Sequence, residues 1–437
     1  MRVTLIRPDI SARKKRRGFF SDNLEPLELA ILAGLTPPEV DLTLFDDRLE
    51  EIDYHHQTDL VALTVLTHTA RRAYEIAGKF RQRGVPVVMG GIHPTLLPDE
   101  AGGYADAVVV GEAESTWPQV VQDAAQGSLK PLYRAEEFSD LRGLRPRREI
   151  YAGRSYSPMS IVEFGRGCPH GCEFCSGATI YRRKVRHRPV REVIEEIQSL
   201  PRHQDFYFTD DNLYACKQAA QELLQALIPL RKKWAAQVHL DFTGDEHFMR
   251  LMAESGCTSV FIGLESLNAQ NLNQMNKKGT LTWYRESLAK IRRFGFCIYG
   301  SFMFGYDEDR EETFDETLRF ALEERFFAAL FTPLQPFPGT PLLARLKEAG
   351  RMLYDTWWID PGFRYQTFAF RPEHLPPDSI NHCRRVQEKF YSWPSIARRA
   401  LDRRANARSL SHFLLFLAYN GISRRVLKRN PWFELHQ

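Results

Sequence analysis

The sequence Cys168-Pro169-His170-Gly171-Cys172-Glu173-Phe174-Cys175 places three of the chain's seven cysteines on one short segment. Thiolates bind soft metals, and the C-x3-C-x2-C spacing turns three sulfurs toward one point. Three such sulfurs can hold three irons of a four-iron cluster, which leaves the fourth iron open to another ligand. The sequence therefore predicts a [4Fe-4S] cluster bound by Cys168, Cys172 and Cys175.

The same segment leaves two alternatives to a cluster open. One is a zinc site completed by His170 or another residue, although structural zinc sites usually combine two paired half-sites. The other is a chance grouping of cysteines. The remaining cysteines are expected to be small buried hydrophobic residues, and they are Cys216, Cys257, Cys297 and Cys383.

The composition indicates an ordinary globular protein. The chain has 437 residues, 43% hydrophobic and 26% charged, enough for roughly two to four domains. A net charge of +4 is too small to indicate a nucleic-acid partner, so we expect none. No apolar stretch approaches the roughly 18 residues of a membrane-spanning helix. Because the first 167 residues contain no cysteine and the total is odd, a disulfide framework is disfavoured and we expect a cytoplasmic protein.

The first part of the chain alternates short apolar runs with patterns of helical spacing. The apolar runs begin near residues 3, 41, 60, 86 and 107. Buried strands joined by crossover helices predict a parallel, doubly wound (Rossmann-like) sheet over residues 1–140. Such a sheet binds ligands beyond the carboxyl ends of its strands. The residues predicted at those ends include Thr64, Thr67, Gly90, Gly91, His93, Gly111 and Glu112.

A second alternating series begins near residue 160 and contains six strand and helix units. Six units are too few for the closed eight-unit barrel, so we predict a partial, TIM-like (β/α)6 barrel over residues 155–345. We place the third strand of this series at Val238-His239-Leu240-Asp241. Residues 346–437 are predicted to form a helical, basic C-terminal extension.

Polar residues follow several of the predicted barrel strands. Asp210 and Asn212 follow the second, Glu265 and Ser266 the fourth, and Phe304 ends the fifth. Active sites of parallel barrels lie at these carboxyl ends. Taken singly, the polar residues among them are also common helix caps, so capping remains the alternative.

These motifs together resemble the radical SAM superfamily, whose signature is CxxxCxxC with an aromatic residue, here Phe174, before the last cysteine. The resemblance implies that the open iron binds S-adenosylmethionine (SAM), which is cleaved to methionine and a 5′-deoxyadenosyl radical. It also implies an external one-electron donor of the flavodoxin or ferredoxin type. The SAM-binding residues implied in this way are Phe174, Asp210, Asn212, Glu265, Ser266 and Phe304.

The order of a doubly wound domain followed by this barrel resembles the cobalamin-binding radical SAM enzymes. The resemblance implies cobalamin at Thr64, Thr67, Gly90, Gly91, His93, Gly111 and Glu112. The chain departs from cobalamin mutases in one respect, because residues 7–13 lack the Asp-x-His-x-x-Gly motif whose His ligates cobalt. His93 is a possible substitute ligand, but a hydrogen-bonding role is favoured for it.

The resemblance implies a methyltransferase that acts on an unactivated carbon of a small-molecule or lipid-like substrate. A cyclisation, rearrangement or oxidation of the anaerobic tetrapyrrole cyclase type, without net methylation, is the alternative. The RNA-modifying methylthiotransferases carry a further N-terminal cysteine triplet, which this chain lacks. A cluster-bearing sensor or scaffold would leave the polar residues at the strand ends without a role.

The basic character of the chain is concentrated at its C-terminal end. Residues 391–437 carry nine Lys and Arg against only Asp402 and Glu434. A basic helix that includes an apolar run from Phe413 to Tyr419 is a candidate for peripheral contact with an anionic membrane or an acidic substrate. A docking helix with a solvated charged face is the favoured interpretation.

Overall fold

The computed structural model describes residues 1–10, 23–201, 204–376 and 379–429. The chain separates into two compact units. The first comprises Met1–Ser157, Phe337–Gly339 and Thr356–Pro361, and the second comprises Pro158–Pro336, Thr340–Asp355 and Gly362–Gln437. The division into three domains expected from the sequence stays a prediction.

The first unit is built on a six-stranded parallel sheet in the order β2-β1-β3-β4-β5-β6. Its elements are β1 (Arg2–Arg7), α1 (Leu27–Leu35), β2 (Asp41–Asp46), β3 (Leu60–Thr64), α2 (Ala70–Arg81), β4 (Val87–Gly90), α3 (Ile92–Leu96), α4 (Pro98–Gly102), β5 (Ala107–Val110), α5 (Trp117–Ala125) and β6 (Leu132–Arg134).

The strand order confirms the doubly wound sheet. Strands β2 and β3 pair with opposite sides of β1, so the winding reverses there. In open parallel sheets, ligands bind outside the carboxyl ends of the strands at such a reversal. The apolar runs predict five of the six strands. The sixth, β6, lacks an apolar run because it lies at the sheet edge, where Leu132 is 44% exposed.

The second unit contains a six-stranded parallel sheet in the order β14-β13-β12-β11-β10-β7 and a two-stranded antiparallel pair, β8 and β9. Its elements are β7 (Met159–Val162), β8 (Gly165–Arg166), α6 (Ser176–Ile180), β9 (Arg186–His187), α7 (Val190–Ser199), β10 (Asp205–Phe208), α8 (Lys217–Leu227), β11 (Trp234–Gln237), α9 (Glu246–Glu254), β12 (Cys257–Glu265), α10 (Ala269–Gln274), α11 (Leu281–Arg293), β13 (Cys297–Phe304), α12 (Glu311–Glu323), β14 (Ala328–Pro333), α13 (Pro341–Glu348), α14 (Ile380–Phe390), α15 (Trp393–Ala400) and α16 (Leu410–Arg429).

Each strand of the six-stranded sheet in the second unit pairs with its neighbour in chain order, as a partial barrel of six units requires. This confirms the predicted TIM-like fold. The third predicted strand, at residues 238–241, is wrong. The strand is β11, at Trp234–Gln237, and a short 3-10 helix, Leu240–Gly244, follows it. The register is fixed by Trp234, which is buried and donates its indole N–H to the carbonyl of Ser255.

Three helices complete the second unit after residue 379, as the sequence predicts. Helices α14 and α15 join α16 through Arg399, whose guanidinium is completely buried. Burial lowers the pKa of Arg399 to about 9. The guanidinium is held by the carbonyls of Phe326 and Phe390 and by the side-chain oxygen of Asn420. Among the helices that the structure describes, none has the length and apolar character of a membrane span.

Candidate functional site

The three cysteines lie on the loop that leads from β8 into α6. Burial raises the pKa of the Cys168 thiol to about 11, and it also raises the pKa of Cys172 and of Cys175. Neutral thiols would therefore prevail here without a metal. A cationic iron site reverses that preference because it binds thiolates directly. The donor set of this loop, three cysteines on one turn of chain, fits a [4Fe-4S] cluster with one open iron.

Backbone hydrogen bonds fix this cysteine loop to two other segments of the second unit. The Glu173 N–H donates to the carbonyl of Met275 at 3.1 Å, and the Leu342 N–H donates to the carbonyl of Glu173 at the same distance. The Asn276 side chain donates to the carbonyl of Gly171 at 2.9 Å. The loop is therefore positioned by the chain that follows α10 and by the start of α13.

An ion-pair network holds the same loop through side chains. Arg345 on α13 donates to Glu173 at 2.9 Å and to Asp307 at 2.7 Å. Arg351 donates to the other oxygen of Asp307 at 2.6 Å. Because Glu173 is only 13% exposed, the loss of its partner would leave a poorly solvated carboxylate beside the cysteines.

The end of β10 braces the chain on either side of β8. Asp210 accepts hydrogen bonds from the N–H groups of Phe164 and Gly165, at 3.0 and 2.6 Å. Burial raises its pKa well above the ordinary value. The next residue, Asp211, accepts from the Gly167 N–H at 2.9 Å. These carboxylates position the strand that delivers Cys168, and a direct contact between Asp210 and SAM stays a prediction.

Asn212 serves as a cap, as the alternative interpretation expects. Its side-chain oxygen accepts from the N–H groups of Tyr214 and His239, at 3.2 and 3.1 Å. These bonds leave its amide NH2 as the group best suited to a ligand. The structure thus places Asn212 between the ends of β10 and β11.

Glu265 has a strained backbone at the end of β12. Its φ is +68°, a left-handed conformation that costs roughly 1–3 kcal/mol in residues other than glycine and is typical of functional sites. The pairing of β12 with β13 shifts in register at this point. Its two carboxylate oxygens lie 3.4 Å from the Lys277 ammonium and 3.5 Å from the Ser301 hydroxyl. Both contacts are long, so the carboxylate retains capacity to accept hydrogen bonds from the hydroxyl groups of a ribose.

Ser266 and Phe304 occupy different surroundings. The Ser266 hydroxyl accepts from the Asn268 N–H at 3.1 Å, which starts α10. The Phe304 ring lies 4.4 Å from that of Phe314 on α12, so it packs in the core on the helix-facing side of β13. Ser301, an odd number of residues away, lies on the side that meets Glu265. Because the ring of Phe304 packs in the core, a contact between this residue and SAM would involve its backbone. That contact stays a prediction.

Near the cysteine loop, two histidines and an aspartate come close together. His170 and His239 lie 3.4 and 3.0 Å from the same carboxylate oxygen of Asp241. Their rings stack with centroids 3.8 Å apart and planes only 27° apart. The lone pairs of nearly parallel rings do not converge well on one ion, so this group is poorly arranged for zinc.

In the first unit, the predicted cobalamin residues of β3, β4 and β5 assemble at the carboxyl edge of the sheet. Thr64 pairs with Gly90 in the ladder. A Cβ on Gly91 would lie 2.9 Å from the carbonyl oxygen of Val65, and the φ of Gly91 is +102°. Glycine is therefore required at position 91 by the backbone itself. Among the described residues, the buried hydroxyl of Thr67 has no hydrogen-bond partner, so it is suited to a bound ligand.

Three other predicted residues of this edge have partners inside the unit. The Gly111 N–H donates to the Thr95 hydroxyl at 3.0 Å, and Glu112 accepts from the Ser139 N–H at 2.7 Å. His93 is completely buried, with Nε2 at 3.0 Å from both the Tyr74 hydroxyl and a carboxylate oxygen of Glu100. These contacts give Nε2 the hydrogen-bonding role predicted for His93, and the buried Nδ1 has no partner among the described residues.

Sequence reasoning did not assign a role to Asp211, Lys277 or Trp358. Trp358 belongs to the first unit, where its indole N–H lies 3.0 Å from both oxygens of Glu100. Asp211 lies between Asp210 and Asn212 at the predicted strand end, so the sequence pattern could have identified it. Trp358 carries no local signal because Glu100 is 258 positions away, and Lys277 is 12 positions from Glu265 with no motif that joins them.

Comparison with known protein families gives two matches. Residues 162–321 match the Radical SAM superfamily, and residues 23–121 match the B12 binding domain. The first range contains the cysteine loop and most of the second unit's sheet. The second range contains four of the six strands of the first unit's sheet.

Curated relatives extend the similarity along the chain. The bacteriochlorophyllide d C-12(1)-methyltransferase of Chlorobaculum tepidum is 30% identical, over 89% of this chain and 88% of the relative. The C-8(2)-methyltransferase of the same organism is 27% identical, over 91% and 92%. The anaerobic magnesium-protoporphyrin IX monomethyl ester cyclase of Cereibacter sphaeroides is 24% identical, over 67% and 54%.

Among solved structures, the radical S-adenosylmethionine methyltransferase TsrM from Kitasatospora setae has a similar fold. Its structure with cobalamin and a [4Fe-4S] cluster bound matches with a TM-score of 0.70 over 98% of this chain and 99% of TsrM. The sequence identity is 16%, so this comparison concerns the fold alone.

Proposed function

Since the chain belongs to the family of radical SAM enzymes that carry a B12-binding domain, as its similarity to a methyltransferase along 89% of its length shows, we propose that it methylates an unactivated carbon. Its cofactors are a [4Fe-4S] cluster, SAM and cobalamin. The observation that carries the radical SAM part of the proposal is the cysteine loop, which offers three thiols to one cluster, and the methyltransferase relatives support methylation. When bound, the cluster supplies an electron to SAM, and cobalamin carries a methyl group.

The residues of this chain bind and orient these groups. We propose that Cys168, Cys172 and Cys175 hold three irons and that Phe174 lies beside SAM. Glu265 is suited to the ribose hydroxyls because its carboxylate is only weakly engaged by Lys277. Backbone contacts and the Arg345 pair keep the loop in one position, which favours an ordered approach of the reacting groups.

For cobalamin, we propose the carboxyl edge of the first unit's sheet. The supporting observations are the reversal of winding at β1 and the unpartnered, buried hydroxyl of Thr67 among the described residues. Thr64 and Gly90 would lie along the same edge. Because His93 is completely buried beside Tyr74, Glu100 and Trp358, we propose that it does not ligate cobalt.

For the substrate we propose a tetrapyrrole or another extended, lipid-like small molecule. The support is that two of the relatives are methyltransferases of bacteriochlorophyllide d. We further propose an external one-electron donor of the flavodoxin or ferredoxin type and a cytoplasmic location. Cyclisation without net methylation remains the second candidate, because a cyclase is among the relatives.

The deciding experiment is anaerobic reconstitution with iron, sulfide, hydroxocobalamin, SAM and a reductant, with bacteriochlorophyllide d as the first substrate. Methylation predicts two products of SAM in one assay, 5′-deoxyadenosine and S-adenosylhomocysteine, together with a methylated pigment. With magnesium-protoporphyrin IX monomethyl ester as the second substrate, deoxyadenosine and a changed pigment without S-adenosylhomocysteine would favour cyclisation. Absence of deoxyadenosine from a fully loaded protein would reject the radical SAM proposal.

Cysteine variants test the ligands. Cys172→Ala should lose cluster iron and deoxyadenosine formation while the thermal unfolding curve stays close to that of the wild type. Cys216→Ala removes a thiol of similar exposure outside the loop and is the matched control. Equal iron content in the two variants would reject the ligand assignment.

A further inference from the structure

Helix α16 buries polar as well as apolar residues and exposes several leucines. Its buried face includes Asn420 and Ser423, both completely buried. Its exposed face carries Leu410, Leu414 and Leu415, which are 73%, 55% and 54% exposed. Single exposed leucines are common, but an apolar strip opposite a partly polar buried face indicates that something apolar covers it.

The buried face, which also holds the apolar Phe416, includes Asn420 because this side chain completes the site of Arg399. The Asn420 side chain accepts from that guanidinium at 2.9 Å and donates to the carbonyl of Phe327 at 3.1 Å. The inward orientation of α16 is thus fixed by hydrogen bonds. The leucines of the opposite face are held outward by the same contacts, so they cannot be buried by rotating the helix.

The exposed strip runs along one side of the helix. Leu410, Leu414 and Ala418 are spaced by four residues, and Leu415 and Ile422 lie beside them. We call the exposed side chains at positions 410, 414, 415 and 418 the leucine strip. Trp393, which is 58% exposed, lies next to the helix, because its ring reaches within 4.0 Å of a Cβ placed on Gly421.

Exposed basic residues flank the leucine strip at both ends. Arg403, Arg404 and Arg408 precede it, and Arg425 and Lys428 follow it. The sequence from 391 to 429 contains one acidic residue, Asp402, which is 4% exposed. An apolar strip with cationic ends and an interfacial tryptophan is the pattern by which helices lie on anionic bilayers.

We propose that this face of α16 binds the surface of an anionic phospholipid membrane. The leucine strip and Trp393 enter the boundary between headgroups and acyl chains, and the flanking arginine and lysine side chains contact lipid phosphates. A second copy of this chain is a poorer occupant, because pairing two such faces would bring like charges together with no exposed acid on the helix to offset them. Membrane binding is separate from methyl transfer, so each is tested without the other.

The test is flotation or sedimentation of the full, anaerobically reconstituted chain with vesicles. Vesicles of phosphatidylglycerol mixed with phosphatidylcholine should bind the protein, binding should weaken with added salt, and pure phosphatidylcholine should bind it much less. The double variant Leu414→Ser with Leu415→Ser should lower the affinity about tenfold or more. Deoxyadenosine formation without vesicles should stay at the wild-type level.

Matched controls use exposed residues elsewhere. Leu281→Ser with Leu353→Ser removes two leucines that are 42% and 47% exposed and should leave vesicle binding unchanged. Arg425→Glu with Lys428→Glu should weaken binding about tenfold or more. Arg250→Glu with Arg319→Glu makes the same change in net charge at two exposed positions outside α16 and should have little effect.

Three outcomes would overturn the proposal. The first is equal binding to vesicles with and without phosphatidylglycerol. The second is unchanged binding by the double serine variant. The third is a wild-type protein that binds no vesicles and is a dimer in analytical ultracentrifugation, while the double serine variant is a monomer. That result would assign the face to a second copy of the chain.

Discussion

Arg345 on α13 donates two hydrogen bonds, 2.9 and 3.4 Å long, to the carboxylate of Glu173, the residue that directly follows Cys172. The two residues are 172 positions apart in the sequence. The cysteine loop is therefore held by α13, a helix that follows the last strand of the barrel in the sequence.

The first prediction concerns this pair. Arg345→Met should lower the free energy of unfolding by about 1–2 kcal/mol, less than for a fully buried pair because the Arg345 side chain is 32% exposed. The loosened loop should also release cluster iron to a chelator several-fold faster. Lys347→Met changes an exposed residue of the same helix and is the control. Iron release at the same rate from both variants would contradict the positioning role.

The second prediction compares two adjacent glycines of the first unit. Gly91→Ala should destabilise this unit by about 2 kcal/mol or more, because φ is +102° and the new Cβ would lie 2.9 Å from the carbonyl of Val65. Gly90→Ala should have little effect on the free energy of unfolding, since its Cβ would meet only Val109 at an ordinary 3.6 Å. Urea unfolding of the two variants measures this difference in stability. A similar loss in both variants would contradict a role for the backbone conformation at position 91.

The third prediction is a dependence of stability on pH near neutrality. Burial raises the pKa of Asp309 to about 7, although the carboxylate accepts hydrogen bonds from the N–H groups of Gly305 and Tyr306 and from Asn271. Because the folded pKa lies above the unfolded one, the folded state binds the proton more tightly. The contribution of Asp309 to stability is therefore largest in acid, and it falls as the pH rises through about 7.

Urea unfolding should show this contribution to be about 1 kcal/mol smaller at about pH 8.5 than at about pH 6. Asp309→Asn cannot titrate, so the difference between wild type and variant should change with pH by that amount. An identical pH profile for the two proteins would contradict the elevated pKa.

The fourth prediction concerns the buried arginine of α15. Arg399→Met should lower the free energy of unfolding by about 3 kcal/mol or more, because the carbonyl of Phe326 and the side-chain oxygen of Asn420 lose the guanidinium as their donor. Arg398→Met changes the exposed neighbour and should cost little. Limited proteolysis should cut residues after 379 in the first variant and spare them in the second. Equal resistance would contradict the anchoring role.

The fold was predictable from sequence where apolar runs mark buried strands. Strands β1, β3, β4 and β5 are such runs, and the order of strands and helices predicts both sheets. Strand β11 was misplaced because Trp234-Ala235-Ala236-Gln237 contains small residues, whereas the more hydrophobic stretch beyond it turns into a 3-10 helix. The local sequence pattern does not reveal that Trp234 packs against Phe208, with ring centroids 5.4 Å apart.

The candidate site was predictable where chemistry is local in sequence. The three cysteines and the strand-end residues could be named, because their spacing carries the signal. The residues that hold them in place could not be named from the sequence, because Arg345, Lys277 and Trp358 approach their partners only after folding. The structure also changes the meaning of one residue: Gly91 is required by its own backbone, whether or not a macrocycle approaches it.

The position of Trp358 in the sequence limits how the first unit can be exchanged between related proteins. The first unit includes Phe337–Gly339 and Thr356–Pro361, and Trp358 supplies the indole donor to Glu100, which in turn holds His93. A fragment cut after Ser157 keeps every strand of the sheet but loses that donor. Exchange of cobalamin modules between relatives therefore has to transplant three separate pieces of chain, and a chimera joined at a single point would inherit a carboxylate from one parent and its partner from the other.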